Sequence, residues 1–440
     1  MKESLSYKKI LKFWLPLSAT WLMMSVEGPF LTALIARLPH PEFNLAAYGV
    51  AFALALIIES PVIMMMSASI ALVRNKYSFY KLRNFVYSVN FVITLCILIL
   101  IIPSIFYSLT IDFMNLPQQV AVLTHKAVII LIPWPAAIGY RRFYQGIMIS
   151  SNATRRVAYG TIIRMSTMFI VSVILITFFE IDGVVVGASA LSSGVVMEAL
   201  VSRFMASKFV KNVKQNLGNE SSHNLSYREI VKFYYPLALT SFISLGIHPV
   251  VIFFMGRSDR ALESLAVLPV LNSLVFFFRS FGLSYQEVGI ALMGEHESYS
   301  KLKNFAVVLG VAVVAGLGLI SFTSLSDIWF QNVAGLSQKL SEFSKFPLIL
   351  YTIFPATTVW INFQRAILVY SRKTEPITYA TIIEVVGITI TLVIAIKFFS
   401  MIGVVAAIIA YTLGRTAAIL YLIDPFKKAL EKIKGVSFGN

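Results

Sequence analysis

Cysteine is almost absent: 440 residues contain one, Cys96, inside the apolar run 92–102. Neither a disulfide framework nor a thiolate metal cluster can be built from it. Charge is also scarce, at 13% of residues, and acids are in the minority, with 21 Asp and Glu against 37 Lys and Arg. A net charge of +16 would suggest nucleic acid in a soluble domain. Here the bases collect in short loops between apolar runs, so the expected partner is the lipid bilayer and not nucleic acid. The chain has no G-x-x-x-x-G-K-[ST] loop, no H-E-x-x-H pattern, no paired-cysteine motif and no G-x-S-x-G elbow. An ATPase or a membrane-embedded enzyme is therefore not expected, and neither is a resident cofactor. The basic N-terminus leads into a full-length apolar run without a small-residue cleavage site, so no cleavable signal peptide is expected.

What is abundant is apolar length. The chain is 58% hydrophobic, with a mean hydropathy of +0.79. Apolar runs predict spans at roughly 11–36, 45–73, 84–107, 126–149, 158–179 and 184–206. A second set follows at roughly 231–256, 265–293, 304–327, 346–369, 378–399 and 404–425. Loops holding Lys8, Lys9 and Lys12, Arg74 to Arg83, Arg155 and Arg156, Lys208 to Arg228, Lys301 and Lys303, Arg372 and Lys373, and Lys427 to Lys434 are the basic ones. The positive-inside rule makes them cytoplasmic and puts both termini inside, in what we expect to be a bacterial inner membrane.

The two sets are copies. A shift of 220 residues carries Leu5-Ser6-Tyr7 onto Leu225-Ser226-Tyr227, Pro16-Leu17 onto Pro236-Leu237, and Pro29 onto Pro249. It also carries Ile70-Ala71-Leu72 onto Ile290-Ala291-Leu292, and Gly183-Val184-Val185 onto Gly403-Val404-Val405. A period this long marks a duplicated half, and an even number of spans per half makes the halves parallel. The expectation is an all-α membrane protein: twelve transmembrane helices in two parallel six-helix bundles about a pseudo-twofold axis along the membrane normal. The lobes are 1–207 and 229–440, joined by a polar linker at 208–228. Pro29 and Pro249 should bend the first helix of each lobe.

A six-plus-six parallel duplication, each half opening on a basic residue, an aromatic and Pro-Leu, resembles the multidrug and toxic compound extrusion (MATE) superfamily. Lys232-Phe233-Tyr234-Tyr235-Pro236-Leu237, His248-Pro249-Val250-Val251 and Arg257 resemble the start of the second half in the progressive ankylosis proteins and their bacterial relatives. Leu45-Ala46-Ala47-Tyr48-Gly49 resembles their second span. The resemblance implies a two-lobed, rocker-type exporter of organic anions. Bacterial MATE proteins place an acid in the first span, where this chain has Glu27, but the resemblance does not carry over an ion-coupling site residue by residue.

Ionisable groups within spans each cost at least about 2.5–3.5 kcal/mol and need a partner or a watery cavity. The candidates for substrate binding or gating are Glu27, Glu59, Arg141, Arg142, Arg164, Arg279 and Glu384. Glu198, Glu287 and Arg415, nearer the cytoplasmic ends, read as helix ties or snorkelling residues. The 220 shift places Glu59 on Arg279 and Arg164 on Glu384, opposite charges at equivalent depths. In MATE-like folds the first pair would line the central cleft, and the second suits a cytoplasmic gate. Arg141 and Arg142 point about 100° apart, so they serve different partners. His248, beside Pro249, is a candidate proton-linked switch.

The leading function is a secondary transporter, expected as a monomer, exporting or exchanging a small organic solute and coupled to H+ or Na+. An anionic solute follows from the number of membrane-depth arginines. A flippase for a lipid-linked precursor and a cationic multidrug antiporter are the alternatives.

Overall fold

The computed structural model describes residues 5–35, 37–114, 116–216, 225–295 and 298–437. Among them there is no β-strand, only an isolated bridge between Asp259 and Ile402. The first half runs through α1 (Tyr7–Ile35), α2 (Pro41–Glu59), α3 (Met65–Leu72), α4 (Lys76–Leu100), α5 (Pro103–Tyr107), α6 (Gln118–Ile130), α7 (Pro133–Ser150), α8 (Thr154–Phe178) and α9 (Gly183–Gln215). The second half repeats the series as α10 (Tyr227–Met255), α11 (Ala261–Leu283), α12 (Tyr285–Leu292), α13 (Ser298–Ser321), α14 (Leu325–Asp327), α15 (Gln338–Tyr351), α16 (Phe354–Tyr370), α17 (Glu375–Lys397) and α18 (Gly403–Ser437). Both ends of α1, α3 and their copies differ by the same 220 residues, so the duplication holds at the level of single helices.

Among the described residues eleven segments are long and apolar enough to cross a membrane, where twelve were expected. The difference is α1. It has 29 residues, ample for a span, but Pro16, Ser18, Thr20, Ser25, Glu27 and Gly28 dilute its apolar content. Elsewhere the surface is that of a lipid-facing protein. The most apolar stretch of α8 is only 22% buried, and it leaves Ile162, Phe169, Ile170, Val173 and Phe178 exposed. Water would not tolerate that face, whereas hydrocarbon does. α9 continues to Gln215, well into the segment read as a polar linker. α1 and α10 run as single helices through Pro29 and Pro249; the side chain of Pro249 lies outside the described residues.

The chain divides into two compact units, 23–241 and 1–22 with 242–440, so the division falls within α1 and within α10. Each unit has its own apolar core. One gathers Leu31, Ala47, Ala51, Ile97, Phe106, Ala127, Val128, Val184 and Leu191. The other gathers Val251, Val267, Leu271, Leu317, Phe330, Leu348, Val404 and Ile408. In the first half α2 and α3 are separated by a 3-10 turn, Ser60–Val62, centred on Pro61, whose missing N–H cannot continue an α-helix.

One close crossing is built twice, with its partners exchanged. On α7, Gly139 lies so near Val62 that a Cβ there would meet Val62 Cγ1 at 3.0 Å and Asn90 Oδ1 at 2.2 Å. In the second half valine is on the later helix and glycine on the earlier one: a Cβ on Gly282 would meet Val359 Cγ2 at 2.9 Å. The position equivalent to Asn90 is Gly310. Two turns on, Gly146 faces Ser69 while Gly289 faces Ala366, again with the small residue moved across. Each crossing needs one side without a Cβ, and either side will do.

Candidate functional site

In the unit spanning 23–241, α7, α8 and α9 converge on one carboxylate. Glu198 on α9 is completely buried and accepts from Arg141 on α7. Its Oε1 also accepts from Gln145 Nε2 at 3.1 Å and Thr161 Oγ1 at 3.3 Å. Arg164 on α8 reaches Glu198 Oε2 with Nε at 3.5 Å and Glu27 Oε2 on α1 with Nη2 at 2.7 Å. Glu59, at the end of α2, is buried and lies within the field of Arg142 first, then of Arg141 and Arg164. Arg141 bonds Glu198 while Arg142 is the strongest charge on Glu59, an arrangement compatible with their angular separation on the helix. Three guanidiniums and three carboxylates leave this cluster balanced. Such a cluster is stable because the pairing and the Gln and Thr donors offset a desolvation cost of several kcal/mol per ion.

Gly194 sets how closely α9 approaches α8. A Cβ there would lie 2.4 Å from Met168 Cγ and 3.0 Å from the Arg164 carbonyl oxygen. Its copy, Gly414 on α18, stands in the same relation to α17, 2.6 Å from Ile388 Cγ1 and 2.7 Å from the Glu384 carbonyl oxygen. The close contact places the charged residues of the fifth and sixth spans of each half within bonding distance.

The other unit has a different charge count. Glu384 on α17 accepts from Arg415 Nε on α18 at 2.7 Å. Arg279 on α11 donates through Nε to Thr358 Oγ1 at 3.3 Å, and Arg365 on α16 donates through Nη2 to Thr381 Oγ1 at 3.2 Å. The guanidiniums of Arg279 and Arg415 lie 5.0 and 5.1 Å from the centre of one ring, Phe354. Tyr351 and Tyr411 stack beside it, 6.4 Å apart and nearly parallel. Among the described residues neither Arg279 nor Arg365 forms an ion pair, and the buried Nε of Arg365 has no hydrogen-bond partner. Three cations therefore share Glu384, an excess of two positive charges. The arrangement can hold an anion by bidentate donation, with the aromatic rings as an apolar wall.

No protein-family model and no curated protein sequence matches the chain significantly. Solved structures do. An outward-facing multidrug resistance MATE family transporter of the MOP superfamily is similar over 98% of this chain and 96% of its own, at a TM-score of 0.76 and 15% identity. The fold is that of the MATE transporters. A eukaryotic MATE transporter matches over 97% of this chain and 98% of its own, at TM-score 0.74 and 12% identity. A MOP superfamily transporter from Pyrococcus furiosus, described as having a binding pocket of reverse polarity that suggests a different function, matches over 98% and 96%, at TM-score 0.72 and 15% identity.

Within this MATE fold the charged candidates separate by unit. Glu27, Glu59, Arg141, Arg142 and Arg164 gather around Glu198, whereas Arg279 and Glu384 gather with Arg365 and Arg415. Arg164 and Glu384 each find an ion-pair partner within their own unit. His248 is exposed on α10. Glu198 ties α7 and α8 to α9 through Arg141 and Arg164, and its complete burial leaves no room for the snorkelling alternative. Gln145, Thr161, Thr358 and Thr381 are not legible in the sequence, because nothing there distinguishes a polar residue facing a charge from one on any other helix face.

Proposed function

We propose that the chain is a secondary transporter for a small organic anion, of the progressive ankylosis type within the MATE-like carriers. The observation that carries this reading is the charge surplus around Glu384: it pairs with Arg415 and is the one carboxylate acting on Arg279 and Arg365. A lipophilic cation would leave those guanidiniums repelling it, while a carboxylate or phosphate offsets their desolvation. The other unit supplies the coupling. Its cluster is neutral, so uptake of H+ or Na+ by a carboxylate would unbalance it. Glu27 is the carboxylate we assign to that role, because 13% of its side chain is exposed where Glu198 has none.

Reconstitution into liposomes tests both parts. Accumulation of a carboxylate or organic phosphate under an imposed proton or sodium gradient is the expected result. Transport of lipophilic cations such as ethidium, unaffected by Arg279→Gln, with no movement of any tested anion, overturns the reading.

A further inference from the structure

We infer that one end of the 23–241 unit carries a binding site for the phosphate headgroup of an anionic phospholipid, built from Arg83, Arg203 and Lys214 on a platform of tyrosines. The site is separate from the buried charge cluster and does not depend on what the chain transports. Arg83 on α4 sits over two rings, Tyr80 at 4.8 Å and Tyr87 at 5.6 Å. Lys214, in the last turn of α9, shares Tyr80 at 5.3 Å and covers Phe79 at 5.4 Å. Arg203, three turns earlier on α9, lies 5.1 Å from the ring of Tyr144 on α7. The platform is continuous: Tyr87 stacks on Tyr140 at 6.1 Å, Tyr140 packs edge-on against Tyr144 at 4.8 Å, and the Tyr87 and Tyr144 hydroxyls are 3.4 Å apart.

Three cations folded onto one aromatic surface repel each other unless an anion joins them. Among the described residues none of the three forms an ion pair, and residues 74–111, 113–179 and 199–219 contain no Asp or Glu. The cations are half-buried and Tyr87 is 40% exposed, so the surface remains reachable. It lies where α4 begins and α9 ends, with the Lys76 N–H bonded to the Asn216 carbonyl at 2.9 Å. Aromatic rings beside basic side chains at a span terminus suit the depth of a lipid headgroup: guanidiniums and ammonium take the phosphate, and tyrosines flank the glycerol.

A general excess of positive charge at this membrane face would produce the same feature in both halves. It does not. Arg83 and Lys214 keep their charge as Lys303 and Lys434, and Phe79 and Tyr140 stay aromatic as Tyr299 and Trp360, but Tyr80, Tyr87, Tyr144 and Arg203 become Ser300, Val307, Gln364 and Ile423. Arg203 and the Tyr80, Tyr87 and Tyr144 rings belong to the first half alone.

The full chain, purified and delipidated in detergent, provides the test. Native mass spectrometry should show phosphatidylglycerol retained at energies that strip phosphatidylcholine. Phosphatidylglycerol should also raise the melting midpoint by several degrees more than phosphatidylcholine. Arg83→Gln with Arg203→Gln should remove at least half of that extra shift, while Lys303→Gln leaves it intact. Equal retention of the two lipids by the wild-type chain overturns the proposal without any variant. So does an unchanged shift in the double variant, or an equal shift from inorganic phosphate alone, which would mark a site for free phosphate. Tyr87→Leu, which removes part of the platform and no charge, should weaken retention as well; full retention would reduce the site to unspecific charge attraction and overturn it.

Discussion

Arg415 on α18 holds the carboxylate of Glu384 on α17 at 2.7 Å, and this pair reverses the polarity of its counterpart. In the first half the fifth span supplies the base, Arg164, and the sixth supplies the acid, Glu198. In the second half the acid is on the fifth span and the base on the sixth. Gly194 and Gly414 make the same close approach in both, so the helix contact is common to the halves and the charges are what differ. One half ends balanced and the other cationic.

Glu198→Gln should lower thermal stability sharply, because Arg141 and Arg164 lose their shared carboxylate in a buried setting. Removing one partner of such a pair costs about 3–5 kcal/mol. Glu27→Gln should cost less, since its side chain is partly accessible. Melting curves in detergent compare the two; equal midpoints would mean that Glu198 is not the structural hub of its cluster.

Gly194→Ala should destabilise by about 1–3 kcal/mol, because its Cβ would overlap Met168 and crowd the Arg164 carbonyl. Gly49→Ala is the control. Nothing lies within 4 Å of its Cβ position, and alanine should be neutral or stabilise α2 by up to about 1 kcal/mol. Denaturation midpoints in the reverse order would contradict the close-approach argument.

The exchanged crossing predicts a rescue. Gly139→Val alone should be severely destabilising, since it collides with Val62 and Asn90. Adding Val62→Gly and Asn90→Gly copies the second half, where Gly282, Gly310 and Val359 hold these positions. The triple variant should recover folded yield well beyond the single one. Additive losses would show that the halves do not share this crossing.

Arg279→Gln should reduce anion transport by about tenfold or more, the scale expected for losing a charge-assisted contact. Arg257→Gln should have little effect, because Arg257 is exposed and donates to its own helix at the Phe253 carbonyl. Initial rates in proteoliposomes decide between them, and equal losses would remove Arg279 from the transport path.

The sequence alone determined the class of the protein and its duplication. Apolar runs of spanning length leave few foldable alternatives in lipid, and a gapless 220-residue register transfers each helix of one half to the other. The approximate place of each span followed because charge and turn residues cannot remain in hydrocarbon, while helix ends shifted, in α4 by about two turns, from 84–107 to Lys76–Leu100. Tertiary structure decided the rest. The break between α11 and α12 falls at Ser284 without a local proline, and the π-helical turns Ser108–Phe113 and Ile328–Val333 recur with unlike sequences. Neither is written in local propensity; the packing of neighbouring helices imposes both. Charge partnership was hidden for the same reason. Counting charges by depth cannot say which arginines are neutralised, because a pair forms only where helix rotation and a close glycine contact bring the two groups within about 4 Å. That condition balances Arg141 and Arg164 against Glu198 and Glu27, and leaves Arg279 and Arg365 without a carboxylate of their own.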